Sequence, residues 1–178
     1  MGDGIKAIDF SHLAFDPKQV WGKSGRNLAH YASKLSGKSL DTIMRYLEPI
    51  NLEETDADGR NPLHSACKRG NVKLVEWMLK RRYSMNADEN GDTPMHMTAM
   101  CVTHVGEKEQ EERGECEEYS DAERRGAECA KLLIGQGFDV NAVDREGNTP
   151  LHFAAKSNNN EVACLLLSRS TSSLEKEN

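Results

Sequence analysis

The chain has 178 residues, of which 37% are hydrophobic and 29% are charged, and its formal net charge is −6. This length fits one domain or a short array of small units, and the negative charge argues against nucleic acid or an anionic membrane surface as the main partner, because both attract net positive charge. No stretch approaches the roughly 18–20 consecutive apolar residues that cross a bilayer, so the sequence also predicts no membrane insertion.

The first segment of the chain, residues 1–21, is predicted to be an N-terminal extension or cap. Its apolar residues are interrupted by Lys6, Asp9 and His12, so it lacks the continuous apolar stretch of a signal peptide. The five cysteines of the chain are an odd number with irregular spacing, which does not fit a disulfide framework. These features predict a reducing compartment, the cytoplasm, with the nucleus as an alternative.

An eight-residue pattern recurs along the rest of the chain. Residues 59–66 read GRNPLHSA, residues 91–98 read GDTPMHMT and residues 147–154 read GNTPLHFA, while residues 25–32 form a weaker copy, GRNLAHYA. Successive histidines of this motif are 34, 32 and 56 residues apart. The period is therefore about 33 residues, with an insertion of about 23 in the third unit.

Each copy of the motif predicts the start of a helix. Asn or Thr is a favourable N-cap residue, and the proline that follows it in three copies suits the first helical position, where its missing N–H costs nothing. A second run of apolar residues at helical spacing follows each copy and predicts a second helix. These runs contain Leu40, Ile43, Met44 and Leu47; Val72, Leu74, Val75, Met78 and Leu79; Cys129, Ala130, Leu132, Leu133 and Ile134; and Val162, Ala163, Leu165, Leu166 and Leu167.

From residue 22 to residue 168, the motif and its period resemble those of the ankyrin-repeat family. The resemblance implies an all-α ankyrin-repeat solenoid of stacked helix-turn-helix units with short hairpin loops, in which the motif histidines hydrogen-bond the loop backbone between repeats. Stacking is also a physical necessity, because one such unit is too small to bury both faces of its helices. The repeats are predicted at residues 22–55, 56–87, 88–143 and 144–168, followed by a flexible tail at 169–178.

The insertion in the third repeat, residues 102–125, is strongly acidic. It contains eight Glu and one Asp against one Lys and three Arg, a net charge of −5. A segment this polar buries too little apolar surface to offset the entropy of ordering it, which predicts a loop, with a short helix near residues 107–112 as an option. Two interpretations stay open: a solvated loop without a ligand, and an acidic recognition or regulatory arm for a basic partner.

No pattern in the sequence predicts catalysis, a cofactor or a metal site. Cys101 and His104 have the close spacing of zinc ligands, but no second close pair follows them. The Gly-Lys-Ser runs at residues 22–24 and 37–39 lack the earlier glycine of a phosphate-binding loop. The regular spacing of the motif histidines indicates one structural role, repeated. We therefore expect a non-enzymatic protein.

The resemblance implies that hairpin tips and first helices form a concave face that binds another protein. Carried over position by position, it gives twelve candidate partner-binding residues: Asp58, Arg60, Lys68, Arg69, Glu89, Asn90, Asp92, Met100, Arg145, Glu146, Asn148 and Lys156. Lys68 and Arg69, together with residues 80–82, also predict a basic zone beside the acidic third repeat.

The predicted function is an intracellular, non-catalytic protein-interaction module that acts as a scaffold, adaptor or inhibitor. One alternative is the ankyrin segment of a longer enzyme, channel or ubiquitin-ligase adaptor. A further alternative is a sequestering protein similar to the κB inhibitors. The sequence identifies neither the partner nor the oligomeric state.

Overall fold

A computed structural model of the chain describes residues 23–47, 53–81, 86–101 and 119–174. Within these ranges the secondary structure is helical, without strands, which confirms the all-α class. The helices are α1 (Leu28–Ala32), α2 (Gly37–Met44), α3 (Pro62–Lys68), α4 (Val72–Leu79), α5 (Pro94–Ala99), α6 (Tyr119–Gly135), α7 (Pro150–Lys156) and α8 (Asn160–Leu174).

The helices form pairs that stack in chain order. The first helices of the repeats pack against each other in one row, α1 on α3, α3 on α5 and α5 on α7. The second helices of the last three repeats form another row, α4 on α6 and α6 on α8. This two-row stack of helix pairs is the predicted solenoid.

Each first helix starts where the motif predicts. The side-chain oxygens of Asn27 and Asn61 accept hydrogen bonds from the backbone N–H groups of His30 and His64, at 3.3 and 3.2 Å. In return, Nδ1 of each histidine accepts from the backbone N–H of the capping asparagine. A proline opens α3, α5 and α7. The reciprocal hydrogen bonds satisfy donors that a helix start otherwise leaves unpaired.

The hydrophobic core is continuous through the stack and lies between the two rows. Leu63, Leu74, Met95, Leu133 and Leu166 are at most 1% exposed. Burial of each such side chain contributes about 1.5–3 kcal/mol relative to leaving it in water. Since these residues come from all of the last three repeats, no repeat holds a separate core.

Two asparagines at the starts of second helices tie neighbouring repeats together. Nδ2 of Asn71 donates to the carbonyl oxygen of Leu35 at 2.8 Å, in the turn between α1 and α2. Nδ2 of Asn159 likewise donates to the carbonyl oxygen of Cys101 at 3.1 Å, just after α5. Each amide therefore fixes the end of the preceding repeat's first helix, and the one from Asn159 fixes the point where the insertion begins.

The last part of the acidic insertion is helical, whereas the sequence predicts a loop. α6 begins at Tyr119, so the predicted loop is wrong for residues 119–125. Ala122, which is 3% exposed, and Gly126 extend the buried face of α6 by one turn, with small residues that an apolar-periodicity argument overlooks. At Gly126 a Cβ atom would lie 2.9 Å from the carbonyl oxygen of Thr98, so only glycine fits there. Residues 102–118, including the suggested short helix at 107–112, lie outside the described residues.

The last helix is also longer than expected. α8 continues to Leu174, so the prediction of a flexible tail is wrong for residues 169–174. Oγ of Ser170 donates to the carbonyl oxygen of Leu166 at 3.0 Å, and it lies 3.3 Å from Oδ1 of Asn141 in the preceding loop. These contacts support a helix end whose composition is polar. The N-terminal extension, residues 1–21, lies outside the described part of the chain.

No helix among the described residues has the length and apolar character that crossing a membrane requires.

Candidate functional site

The hairpin loops between repeats are shaped by three equivalent aspartates. In each loop, Oδ1 of the aspartate accepts two backbone N–H groups at 2.7–3.0 Å. The residues are Asp56, Asp88 and Asp144, each three positions before the motif glycine. Sequence analysis missed them, although this fixed spacing is a readable signal for a side chain that folds its own turn.

Neighbouring loops are joined by one backbone hydrogen bond each. The N–H of Ala57 donates to the carbonyl oxygen of Ser24 at 2.9 Å. The equivalent bonds run from Glu89 to Asp58 at 3.2 Å and from Arg145 to Asn90 at 2.9 Å. Gly59, with a φ of 75°, permits the close approach, because a Cβ there would lie 2.6 Å from Cγ of Glu89. The loop tips are therefore held at a fixed spacing.

Ion pairs join the first three loops. Nε of Arg26 lies 3.1 Å from Oδ2 of Asp56, and Nε of Arg60 lies 3.0 Å from Oδ2 of Asp88. Both carboxylates are buried. Burial alone would raise the pKa of Asp56, but the backbone N–H of Arg60 and the guanidinium of Arg26 hold it below its usual value. Asp56 is consequently an ionised part of the framework at neutral pH.

The third position of this series breaks the pattern. Asp92 stands where Arg26 and Arg60 stand in the earlier repeats. Asp92 is 6% exposed, and its Oδ1 has no hydrogen-bond partner among the described residues. Burial, followed by the charges of Asp88 and Asp144, raises the pKa of Asp92. The sequence predicts Asp92 as an exposed partner-binding residue, and the structure buries it instead.

The motif histidines carry out the role that the resemblance implies. Nε2 of His30, His64 and His96 lies 2.8, 3.1 and 3.1 Å from a carbonyl oxygen of the next loop. A carbonyl only accepts, so Nε2 carries the proton. Burial lowers the pKa of His64 to about 4. His152, in the last repeat, makes the capping bond but is exposed, and no described carbonyl accepts from its Nε2.

The remaining predicted site residues fall into two groups on one side of the stack. One group lies at the loop tips and the other at the C-terminal ends of the first helices. The exposed residues are Asp58, Lys68, Arg69, Glu89, Asn90, Arg145, Glu146 and Lys156, and the partly buried ones are Arg60, Met100 and Asn148. Tips and helix ends recur from repeat to repeat, at the positions where the family pattern places a concave, partner-binding face.

The predicted basic zone divides into two separate parts. Lys68 ends α3, whereas Lys80 follows α4, and the two helices run in opposite directions around the turn at Gly70. Nζ of Lys80 lies 2.9 Å from Oε1 of Glu76, and the guanidinium of Arg81 stacks 3.7 Å from the ring centre of Trp77. The charges at the end of α4 thus interact on their own helix, away from Lys68. Arg82 lies outside the described residues.

The cysteines in the core are unsuited to nucleophilic chemistry. Cys67, Cys101 and Cys129 are buried, and burial raises the pKa values of Cys67 and Cys129. A protonated thiol is a poor nucleophile and a poor metal ligand. Across the ranges that the structure covers, no group of three or more His, Cys, Asp or Glu could hold a metal ion. His104 lies outside those ranges.

Comparison with known families identifies the repeats. The family model for ankyrin repeats (3 copies) matches residues 28–106, and a second model for ankyrin repeats (many copies) matches residues 122–167. The chain belongs to the ankyrin-repeat family. The gap between the two matches coincides with the acidic insertion, so the insertion is an addition to an otherwise regular ankyrin array.

Curated ankyrin relatives are much longer than this chain. The E3 ubiquitin-protein ligase KEG of Arabidopsis thaliana is 30% identical over 130 residues, which cover 65% of this chain and 8% of the ligase. Inversin of Mus musculus is 29% identical over 151 residues, 75% of this chain and 14% of inversin. The transient receptor potential cation channel subfamily A member 1 of Drosophila melanogaster is 28% identical over 128 residues, 63% of this chain and 11% of the channel. The similarity is therefore to an ankyrin segment within each of them.

Proposed function

We propose that this ankyrin array is a non-catalytic module that binds a partner protein through its concave face, in the cytoplasm or nucleus. Ankyrin repeats are protein-interaction modules. The observation that carries the proposal is the separation of roles within each repeat. Asp56, Asp88, His30, His64 and His96 form internal hydrogen bonds, while the tips and helix ends of the same loops and helices are exposed.

A rigid framework with exposed side chains favours binding of a folded or extended protein surface. The loop tips are fixed by the backbone bonds between neighbouring loops, so little conformational entropy remains to be lost on association. The exposed residues at the tips include Asp58, Glu89 and Glu146, whereas those at the helix ends include Lys68 and Lys156. Such a pattern of charges determines which partners are accepted more than how tightly they bind.

Affinity capture with matched variants tests this proposal. We would immobilise the wild-type chain, a tip variant with Asp58→Lys, Glu89→Lys and Glu146→Lys, and a helix-end variant with Lys68→Glu and Arg69→Glu. Proteins captured from a cell lysate by the wild type should be lost from at least one variant. The control is Lys131→Glu, an exposed change on α6 in the other row.

All variants must first show the wild-type helical circular dichroism spectrum and a similar melting temperature. If both concave-face variants capture the same proteins as the wild type, the concave face is not the binding site and the proposal is wrong.

A second candidate is that the array serves as the ankyrin segment of a longer enzyme, channel or ubiquitin-ligase adaptor. The short share of each relative that the chain matches, 8% to 14% in the three above, favours this candidate. An antibody against the array distinguishes the two on a denaturing gel of cell extract. A band near 19.8 kDa indicates an independent module, and a much larger band indicates a segment of a longer protein.

A further inference from the structure

Equivalent positions at the ends of the first helices form a row of lysines across the concave face. Lys34, Lys68 and Lys156 each lie four residues after the motif histidine of their repeat, and all three are exposed. Met100 occupies this position in the third repeat and is partly buried. We name these four residues the lysine row. Sequence analysis identified Lys68, Met100 and Lys156 but not Lys34.

Among the residues that the structure describes, the cations of the lysine row have no acidic ion-pair partners. No carboxylate among the described residues forms an ion pair with Lys34, Lys68 or Lys156, whereas Lys73 of α4 pairs with Asp41. Partial burial and the nearby charges of Arg60 and Arg69 lower the pKa of Lys68, so positive charge is crowded around it. An anionic group from outside the chain would relieve this repulsion.

The loop tips opposite the lysine row carry the opposite sign. Asp58, Glu89 and Glu146 are exposed there, and of these Asp58 lies 3.3 Å from the guanidinium of Arg60. Arg145 is the one exposed cation among the tip residues that the sequence singled out. A segment lying between tips and helix ends would therefore meet negative charge along one edge and positive charge along the other. Its acidic side chains would face the helix ends.

We propose, building on the proposed function, that the lysine row binds an extended protein segment with acidic residues at every third position and an apolar residue opposite Met100. Neighbouring first helices pack about 10 Å apart. A polyproline II segment advances about 9 Å per turn of three residues and returns every third side chain to one face. Its spacing therefore matches one side chain to each repeat.

The register follows from the order of residues in the row. Opposite Lys34, Lys68, Met100 and Lys156 the segment carries acidic, acidic, apolar and acidic residues, which gives acidic-x-x-acidic-x-x-apolar-x-x-acidic in one of the two chain directions. The apolar position distinguishes this proposal from a simple preference for negative charge.

Fluorescence anisotropy with synthetic ten-residue peptides tests the proposal. One labelled peptide carries Glu, Glu, Leu and Glu at positions one, four, seven and ten with neutral Pro, Gln or Ser between them, and a second carries the reverse order. We expect one of the two to bind the wild-type chain. The same peptide with Lys in place of each Glu should bind at least about tenfold more weakly, and 0.5 M NaCl should weaken the Glu peptide because salt screens exposed charges.

Variants of the chain locate the binding site. Lys68→Glu with Arg69→Glu should lower the affinity for the binding peptide about tenfold or more. Met100→Glu should lower the affinity for the peptide that carries Leu at position seven, but not for the same peptide with Ser at that position. Lys131→Glu also reverses a charge, changing the net charge by half as much as the double reversal, but it lies on α6, so it should alter binding less than about twofold.

The proposal is overturned if neither Glu peptide binds better than its Lys version, or if Lys131→Glu and the double reversal have equal effects. Loss of lysate partners from the concave-face variants together with no binding of either peptide would leave the proposed function intact and reject this inference alone.

Discussion

Nε2 of His64 donates to the carbonyl oxygen of Asp92 at 3.1 Å, while Nδ1 of the same ring accepts from the backbone N–H of Asn61 at 3.3 Å. One buried side chain thus completes the start of its own helix and fixes the following loop. His152 makes only the capping half of this arrangement, and so provides a control within the same chain.

Replacement of His64 should therefore cost more stability than the same change at His152. In His64→Ala the carbonyl of Asp92 keeps only the N–H of Asp88 as a donor, and the N–H of Asn61 loses its acceptor. A cavity also forms, so the free energy of unfolding should fall by about 2–4 kcal/mol. The exposed His152→Ala change should cost about 1 kcal/mol or less. Urea denaturation followed by circular dichroism measures both values, and equal losses would contradict the role of the loop contact.

Acid should destabilise the stack between about pH 6.5 and pH 4. Burial keeps His64 neutral in the folded chain, with a pKa of about 4, whereas an unfolded histidine titrates near 6.5. The unfolded chain then binds more protons, so stability is full above pH 6.5 and falls as the pH drops toward 4, by up to about 3 kcal/mol for this residue. The lowered pKa of His30 acts in the same direction.

Urea midpoints at a series of pH values measure this dependence. The His64→Gln variant has no titrating group at this position, so its stability should fall less steeply between pH 6.5 and 4 than that of the wild type. The pH dependence that is left in this variant is expected from His30. A slope identical to the wild type would show that His64 is not kept neutral by folding.

Asp92 occupies the position of Arg26 and Arg60 in the earlier repeats, and this difference predicts a stabilising substitution. Asp92→Arg removes a buried carboxylate that repels Asp88 and Asp144, and it places a guanidinium where Arg26 and Arg60 pair with the aspartate of the next loop. We expect the free energy of unfolding to rise by about 1–2 kcal/mol. The measurement is urea denaturation at pH 7.

Glu128→Arg is the matched control, because it makes the same change in net charge at an exposed position of α6. It should alter stability by less than about 0.5 kcal/mol. A similar rise in the free energy of unfolding in both variants would assign the effect to net charge rather than to an ion pair between neighbouring loops. Asp92→Asn removes the buried charge without adding a guanidinium, so it should give a smaller rise than Asp92→Arg.

Two deletions test where the insertion ends. Removal of residues 105–118 should leave the helical spectrum and the melting temperature nearly unchanged, because α6 begins at Tyr119. Removal of residues 105–124 also takes away Ala122, which is buried on that helix, and should lower stability by at least about 1–2 kcal/mol. If both deletions melt alike, the first turn of α6 does not support the stack.

The repeats and their helix starts could be predicted from the sequence because their signals are local. Asn61 with Pro62, and Thr149 with Pro150, fix a helix start whatever surrounds them, and a period near 33 residues then supplies the stacking. The role of the motif histidines followed from the family resemblance and is confirmed by the loop carbonyls that they contact.

The features that the sequence did not predict depend on neighbours distant along the chain. Asp92 looks like a surface residue in the sequence, but it is buried in the structure, where the charge of Asp144, more than fifty positions away, acts on it. Ala122 and Gly126 extend α6 because small side chains fit against α5, which hydrophobic periodicity does not detect. The isolation of Lys68 from Lys80 required the relative directions of α3 and α4.

The bond from Asn159 to Cys101, with the close fit of Gly126 against Thr98, secures both edges of the acidic insertion to the same body. The continuity of the polypeptide between those edges is therefore dispensable for the assembled array. A chain nicked within residues 102–118 should elute from a sizing column as a single species of two fragments, and the two fragments expressed separately should reassemble when mixed.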